Sequence, residues 1–185
     1  MIQTTSPNVR VARAEDGARV AEIYAPYVID TPITFETEPP DAEAMSERIA
    51  STLARFPWLV WEEGGRIAGY AYASEHRARA AYRWCVEVAV YVDAAAHRRG
   101  MGSHLYASLF PLLVRQGLRN AYAGITLPNA ASVGLHEAVG FEKLGVYRRI
   151  GWKLGSWHDV GWWERSLALH TPDPAEPVPF AELRV

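Results

Sequence analysis

The stretch from Val86 to Tyr106, VEVAVYVDAAAHRRGMGSHLY, constrains the rest of the chain most. An apolar-alternating strand runs through a short polar turn into a glycine-punctuated loop, and the loop opens a helix. Glu87 is the lone carboxylate inside the strand. The loop, His97-Arg98-Arg99-Gly100-Met101-Gly102-Ser103, has two residues without a Cβ where the first N–H groups of a helix point outward, so an anion such as a diphosphate can approach. The expectation is a base beside an anion cradle, with a ligand-free strand-to-helix turn as the alternative. The loop lacks the Lys-Ser/Thr of a P-loop and the third glycine of a dinucleotide fingerprint, which weakens both of those readings. Arg98 and Arg99 face either a further phosphate or solvent.

The flanking sequence supplies the other layers. Val9 to Arg13 alternates like a strand, and Glu15-Asp16 gives an acidic first turn to a helix carrying Val20, Ile23, Tyr24, Tyr27 and Val28. Pro32, Pro39 and Pro40 exclude regular helix from Asp30 to Pro40 and leave Phe35 stranded in a loop of the kind that leans over a pocket. Asp41 caps a second helix with Ala42, Met45, Ile49, Leu53 and Phe56 at helical spacing, ended by Pro57. Trp58–Trp61 and Ile67–Ala73 flank Gly64-Gly65 as a hairpin. On the strand Trp84–Val92, Cys85, Glu87 and Ala89 face one way and Val86, Val88 and Val90 the other. The helix from Gly102 to Gln116 contains Pro111, where a kink is expected. Ala121–Leu127 reads as a strand. Asn129 caps a short helix ended by Gly140, and two further strands reach Leu169 with Trp152, Trp157, Trp162 and Trp163 concentrated there as a rim or an interface.

Composition narrows the function classes. A length of 185 residues favours one domain, spanning residues 1–170, with the segment 171–185, which has four prolines, as an extended or partly disordered tail. A net charge of -2 offers no basic field for nucleic acid. No segment reaches the roughly 18 unbroken apolar residues of a membrane span. The single cysteine, Cys85, rules out an internal disulfide and a thiol-based zinc site, and the expected setting is the cytoplasm. No metal site is expected.

Two motifs then stand in order. His97-Arg98-Arg99-Gly100-Met101-Gly102 follows Q/R-x-x-G-x-G/A with His97 in its first place. Asn129-Ala130-Ala131-Ser132, His136 and Gly140-Phe141 follow N-x-x-[AS], an aromatic position and G-F. On these the chain resembles the GNAT superfamily of acetyl-CoA-dependent N-acetyltransferases. The resemblance is closer still to the phosphinothricin (bialaphos-resistance) acetyltransferase family and its methionine sulfone/sulfoximine-acetylating relatives. It is carried by FETEP at Phe35–Pro39, PWLV at Pro57–Val60, Ala78–Tyr82, Glu87–Val92, Leu127–Asn129, Leu135–Phe141 and, most specifically, SWHDVGWW at Ser156–Trp163.

That resemblance implies an α+β fold of α/β-sandwich type: a central mixed, mostly antiparallel sheet of about seven strands, flanking helices, and a splay beside the acetyl-CoA loop. It implies transfer of acetyl from acetyl-CoA to the amine of phosphinothricin or a similar glutamate-like inhibitor, directly in a ternary complex, as detoxification and herbicide resistance. The alternatives are methionine sulfone or sulfoximine as substrate, acetylation of protein termini or lysines, and a non-catalytic acyl-CoA sensor. Glu87 takes the place of the base. A carboxylate on a largely apolar strand is expected to have a raised pKa. A structural Glu–Arg pair is the other reading of Glu87. His136 stands as acid or orienting group, or as a structural histidine. The expected cofactor contacts are Val88, Ala89 and Val90 on the strand, whose N–H groups near Ala89 or Val90 would meet a developing oxyanion, the loop from Arg98 through Arg99, Gly100, Met101 and Gly102 to Ser103, and Asn129. Phe35, Arg79 and Tyr82 are expected around the amine, Arg79 being equally readable as a solvated cation. Cys85 is read as a buried, inert thiol. A homodimer is implied, with Trp157–Trp163 as contact or pocket wall.

Overall fold

The computed structural model describes residues 6–97 and 99–183. Seven strands form one sheet: β1 (Val9–Val11), β2 (Trp58–Glu63), β3 (Arg66–Glu75), β4 (Cys85–Val92), β5 (Asn120–Leu127), β6 (Glu142–Lys153) and β7 (Ser156–Ser166). Their spatial order is β1-β2-β3-β4-β5-β7-β6, and every neighbouring pair is antiparallel except β4 and β5. The expected mixed, mostly antiparallel sheet is therefore present.

Helices cover both faces. Strand alternation sends Trp58, Val60 and Tyr70 to one side, where they meet Val20, Ile23, Tyr24 and Val28 of α1 (Gly17–Asp30) and Met45 and Ile49 of α2 (Ala42–Arg55). Leu59, Ala71, Ala73, Val86, Val88 and Ala121 point the other way, under Leu105, Leu109, Leu112 and Leu113 of α3 (Met101–Arg115). The last helix, α4 (Ala130–Ala138), lies on that second side. No helix among the described residues is long and apolar enough to cross a membrane.

Local chemistry explains most boundaries. Asp41 accepts the Ala44 N–H at 2.8 Å and starts α2 as its spacing requires. Asp16 does not open α1. Arg10 Nη1 lies 2.7 Å from its carboxylate, so Ala14–Asp16 form a 3-10 turn and α1 begins at Gly17. The helix α3 continues through Pro111 as one element, because Pro111 and Ala107 both lie on its exposed face, where the freed carbonyl reaches water.

The tail and the tryptophans differ from their sequence-based reading. Residues 171–183 are docked, extended up to Pro179 and then turned in a short 3-10 helix at Phe180–Glu182. Val178 and Gln116 exchange hydrogen bonds, Val178 N–H to the Gln116 carbonyl at 2.8 Å and Gln116 Nε2 to the Val178 carbonyl at 2.9 Å, and Phe180 sits in the core at 7% exposure. Trp84 Nε1 donating to the Ala175 carbonyl at 2.9 Å and a two-pronged Arg83–Glu176 pair hold the same strap, so a proline-rich segment without a periodic apolar face is still docked. The tryptophans do not form one rim: Trp163 is a core residue at 2% exposure, while Trp152 and Trp157 stand 59% and 58% exposed at the β6–β7 hairpin.

Candidate active site

The central feature is a split in the sheet. β4 pairs with β5 only at Cys85, Val86 and Glu87, opposite Asn120, Ala121 and Tyr122. Beyond Glu87 it keeps its partner β3 through Val92 and has none on the β5 side. The edge of Val88–Val92 thus offers backbone polar groups to whatever enters the split.

On one side lies a cleft of about 470 Å³ whose wall includes Val90, Tyr91, Val92, Arg99, Gly100, Met101, Gly102, Ser103, Asn129 and Leu135. Gly100 adopts φ 74°, the left-handed region, and turns the chain into α3, so that the first N–H groups of α3 face this space. At Gly102 a Cβ would stand 2.7 Å from Leu135 Cδ2, so any larger residue there displaces the Leu135 side chain in the cleft wall. Asn129 caps α4, its Oδ1 accepting the Ser132 N–H at 3.1 Å, while also walling the cleft. His97 Nε2 lies 3.1 Å from both the Val92 carbonyl and the Tyr27 hydroxyl and ties the loop to the end of β4. Arg99 reaches out to Glu63 at 2.9 Å. Val88 turns into the core at 6% exposure, and neither it nor Ala89 contributes to the wall. Arg98 lies outside the described residues. The shape suits an extended ligand with a diphosphate at the loop and an arm along the split.

On the other side a cavity of about 380 Å³ is walled by Phe35, His76, Arg77, Glu87, Thr126, Tyr147, Ile150, Val160 and Trp162. Ile33 belongs to both walls, so one side chain separates the two neighbouring spaces there. Glu87 is not sealed into an apolar face as its strand pattern suggested. Its side chain is 36% exposed, and Oε1 lies 3.0 Å from His76 Nδ1, which also displaces the Glu–Arg alternative. Phe35 lies against Gly151, and its loop is pinned by Lys153 Nζ donating to the Thr34 carbonyl at 2.7 Å and by a two-pronged Arg48–Glu36 pair. Hydrogen bonding from Arg48 holds Glu36 below its ordinary pKa. The SWHDVGWW run shapes this wall. Asp159 accepts the Arg149 N–H at 2.7 Å where β6 slips register between Tyr147 and Gly151, and Trp162 faces the cavity.

Three sequence-predicted residues are placed differently. His136 is 4% exposed; its Nδ1 lies 2.7 Å from the Ser132 carbonyl and its Nε2 2.9 Å from the Tyr106 hydroxyl, so both nitrogens are engaged away from the cavity that holds Glu87. Arg79 is exposed and contributes to neither wall, and Arg77 takes the cavity position instead. Tyr82 stands one ring back, edge-on to His76 with centroids 6.3 Å apart. Cys85 is half-buried, not fully buried as expected, and that burial pushes its thiol up. Sequence reasoning missed His76 and Arg77. No local pattern marks them: Ser74 pairs with Glu87 only through the sheet register, and His76 follows just past the end of β3. No cluster of three or more His, Cys, Asp or Glu that could hold a metal occurs among the described residues.

A split sheet with a glycine loop at one mouth and a carboxylate at the other defines a two-substrate group-transfer enzyme. Residues 9–162 match the acetyltransferase (GNAT) domain family, and the chain belongs to that family of acetyltransferases. It is 42% identical to the phosphinothricin N-acetyltransferase of Streptomyces viridochromogenes, over 92% of this chain and 93% of that one. It is 33% identical to the L-methionine sulfoximine/L-methionine sulfone acetyltransferase of Salmonella typhimurium, over 89% and 98%. The crystal structure of a phosphinothricin acetyltransferase from Sinorhizobium meliloti, in complex with acetyl-CoA, superposes with a TM-score of 0.87 at 34% identity, over 93% of this chain and 95% of that one.

Proposed function

We propose that this enzyme moves an acetyl group from acetyl-CoA to the free amine of phosphinothricin or a similar glutamate-like inhibitor, directly and within a ternary complex. The observation that carries this reading is the split of the sheet just beyond Glu87, with the glycine loop walling the cleft on one side of it and Glu87 walling the cavity on the other. Acetyl-CoA supplies the activated acyl group. The loop amides from Gly100 to Ser103 hold its diphosphate, and the unpaired edge of β4 beyond Glu87 aligns its arm and donates to the acyl oxygen as charge develops there. An alkyl ammonium is mostly protonated at neutral pH, so Glu87, at the amine's cavity, takes a proton directly or through water. Arg77 offers the cation for the anionic end of the amino acid. In this reading His136 holds α4 to the core and does not touch the reacting atoms.

The cavity wall also favours a second substrate class. Phe35, Ile33, Ile150 and Val160 are apolar and suit the side chain of methionine sulfoximine or sulfone. A panel of phosphinothricin, methionine sulfoximine, methionine sulfone and glutamate, assayed by CoA release, separates the two; turnover of none of them defeats both. Trp152, Leu154 and Trp157, each more than half exposed on the β6–β7 hairpin, support a homodimer that covers this apolar tip. Sedimentation at micromolar concentration checks it. Detoxification with acetyl-CoA as donor fits a cytoplasmic enzyme.

A further inference from the structure

The cavity around Glu87 contains an imidazole that the proposed transfer does not yet use. His76 Nδ1 lies 3.0 Å from Glu87 Oε1. An ionised carboxylate only accepts, so the proton of this bond sits on Nδ1. His76 is the more sheltered partner, at 11% side-chain exposure against 36% for Glu87. Its ring lies flat on Tyr122, with centroids 4.5 Å apart and planes 19° from parallel, and meets the edge of Trp162 at 6.0 Å. Tyr122 is the register partner of Glu87 on the last rung that joins β4 to β5 before the sheet splits. Each joint of this chain, from β5 through Tyr122 and His76 to Glu87, has its orientation fixed by ring packing or a hydrogen bond.

We infer that His76 is a positioning residue for acetyl transfer: its Nδ1–H holds one oxygen of Glu87 and leaves the other aimed at the amine. A glutamate side chain has three torsions, and a half-exposed carboxylate without a partner would spread over many rotamers. Clamping one oxygen at the last rung keeps the other in reach of a nucleophile lying between the cavities. The imidazole need not touch the substrate to do this. The inference rests on Glu87 being the base.

The test uses the full chain with a turned-over amine from the panel. In His76→Phe the ring stack on Tyr122 is kept and the donor lost. In His76→Asn an amide nitrogen replaces Nδ1 at nearly the same place. Expected for His76→Phe is a fall in kcat of roughly tenfold or more with the KM for acetyl-CoA within about twofold of the parent, and for His76→Asn recovery of most of that loss. Turnover of His76→Phe within about twofold of the parent overturns the inference, as does equal impairment of the Asn and Phe variants. Should His76→Phe fail to fold, His76→Gln takes its place, since its amide nitrogen stands one carbon further out and is expected to leave kcat low; equal turnover of the Gln and Asn variants overturns the inference. Glu87→Gln separates the two levels. Near-normal turnover there removes Glu87 as base, whereas an inactive Glu87→Gln beside a normal His76→Phe removes only the positioning role.

Discussion

His136 Nε2 and the Tyr106 hydroxyl lie 2.9 Å apart in the core, and Nδ1 of the same ring lies 2.7 Å from the Ser132 carbonyl. The carbonyl can only accept, so Nδ1 carries the proton and Nε2 accepts from Tyr106. The ring is neutral with both sites filled, and burial lowers its pKa from 6.5. Above pH 6.5 folded and unfolded chains agree in charge at this position. Below it the unfolded chain takes up a proton that the folded chain refuses, so stability falls as pH drops toward the lowered folded value. His136→Gln should lack that share of the slope, measured as the difference between the two proteins in urea midpoints at pH 7.5 and 5.5.

Tyr106→Phe leaves Nε2 buried without its donor. A loss of about 1–3 kcal/mol in urea unfolding is expected, with kcat at saturating substrates nearly unchanged. A selective collapse of kcat in a stably folded variant would return His136 to the chemistry.

Much of the fold and of the donor side of the site was legible in the sequence, because it depends on short-range rules. Asp41 and Asn129 cap the helices that they were read to cap, and the loop from Gly100 to Ser103 lines the cleft. The amine side was not legible to the same degree. The family resemblance puts Arg79 and Tyr82 around the amine, but whether Arg77 or Arg79 reaches the cavity is decided by the turn that follows β3. The role of His76 depends on the register Ser74↔Glu87, which no local pattern prints. His136 shows the converse: a motif position was readable, while the direction in which its ring points was set by Tyr106, thirty residues away in sequence.

Phe35 walls the cavity around Glu87 and lies against Gly151, where a Cβ would clash with its Cζ. Gly151→Ala should push Phe35 off and open that wall. The expected result is a KM for the amine raised by roughly fivefold, corresponding to about 1 kcal/mol of lost contact, with the KM for acetyl-CoA unaffected. Steady-state kinetics with each substrate varied in turn decides it.

Phe180 anchors the C-terminal strap at 7% exposure, and the strap bonds to Gln116 at the end of α3. Phe180→Ala removes a large buried ring from the core cluster beneath α3. A destabilisation of about 3–5 kcal/mol is expected in urea unfolding. A change below about 1 kcal/mol would mean that the strap rests on the surface without contributing to the core.

Gly100 and Gly102 stand two residues apart at the mouth of the cleft but answer to different constraints. At Gly100 the left-handed φ of 74° is the constraint, because an added Cβ would meet only His104 Cδ2, at 3.9 Å. Gly100→Ala should therefore cost about 1 kcal/mol of stability through backbone strain. At Gly102 the backbone is helical and the constraint is Leu135, whose Cδ2 would lie 2.7 Å from the new methyl. Leu135 can yield only by moving within the wall of the same cleft. Gly102→Ala is thus expected to raise the KM for acetyl-CoA more than Gly100→Ala does, by roughly threefold to tenfold, with kcat at saturation preserved. Urea midpoints and acetyl-CoA titrations on the two variants check the contrast: one substitution should show mainly in stability and the other mainly in binding.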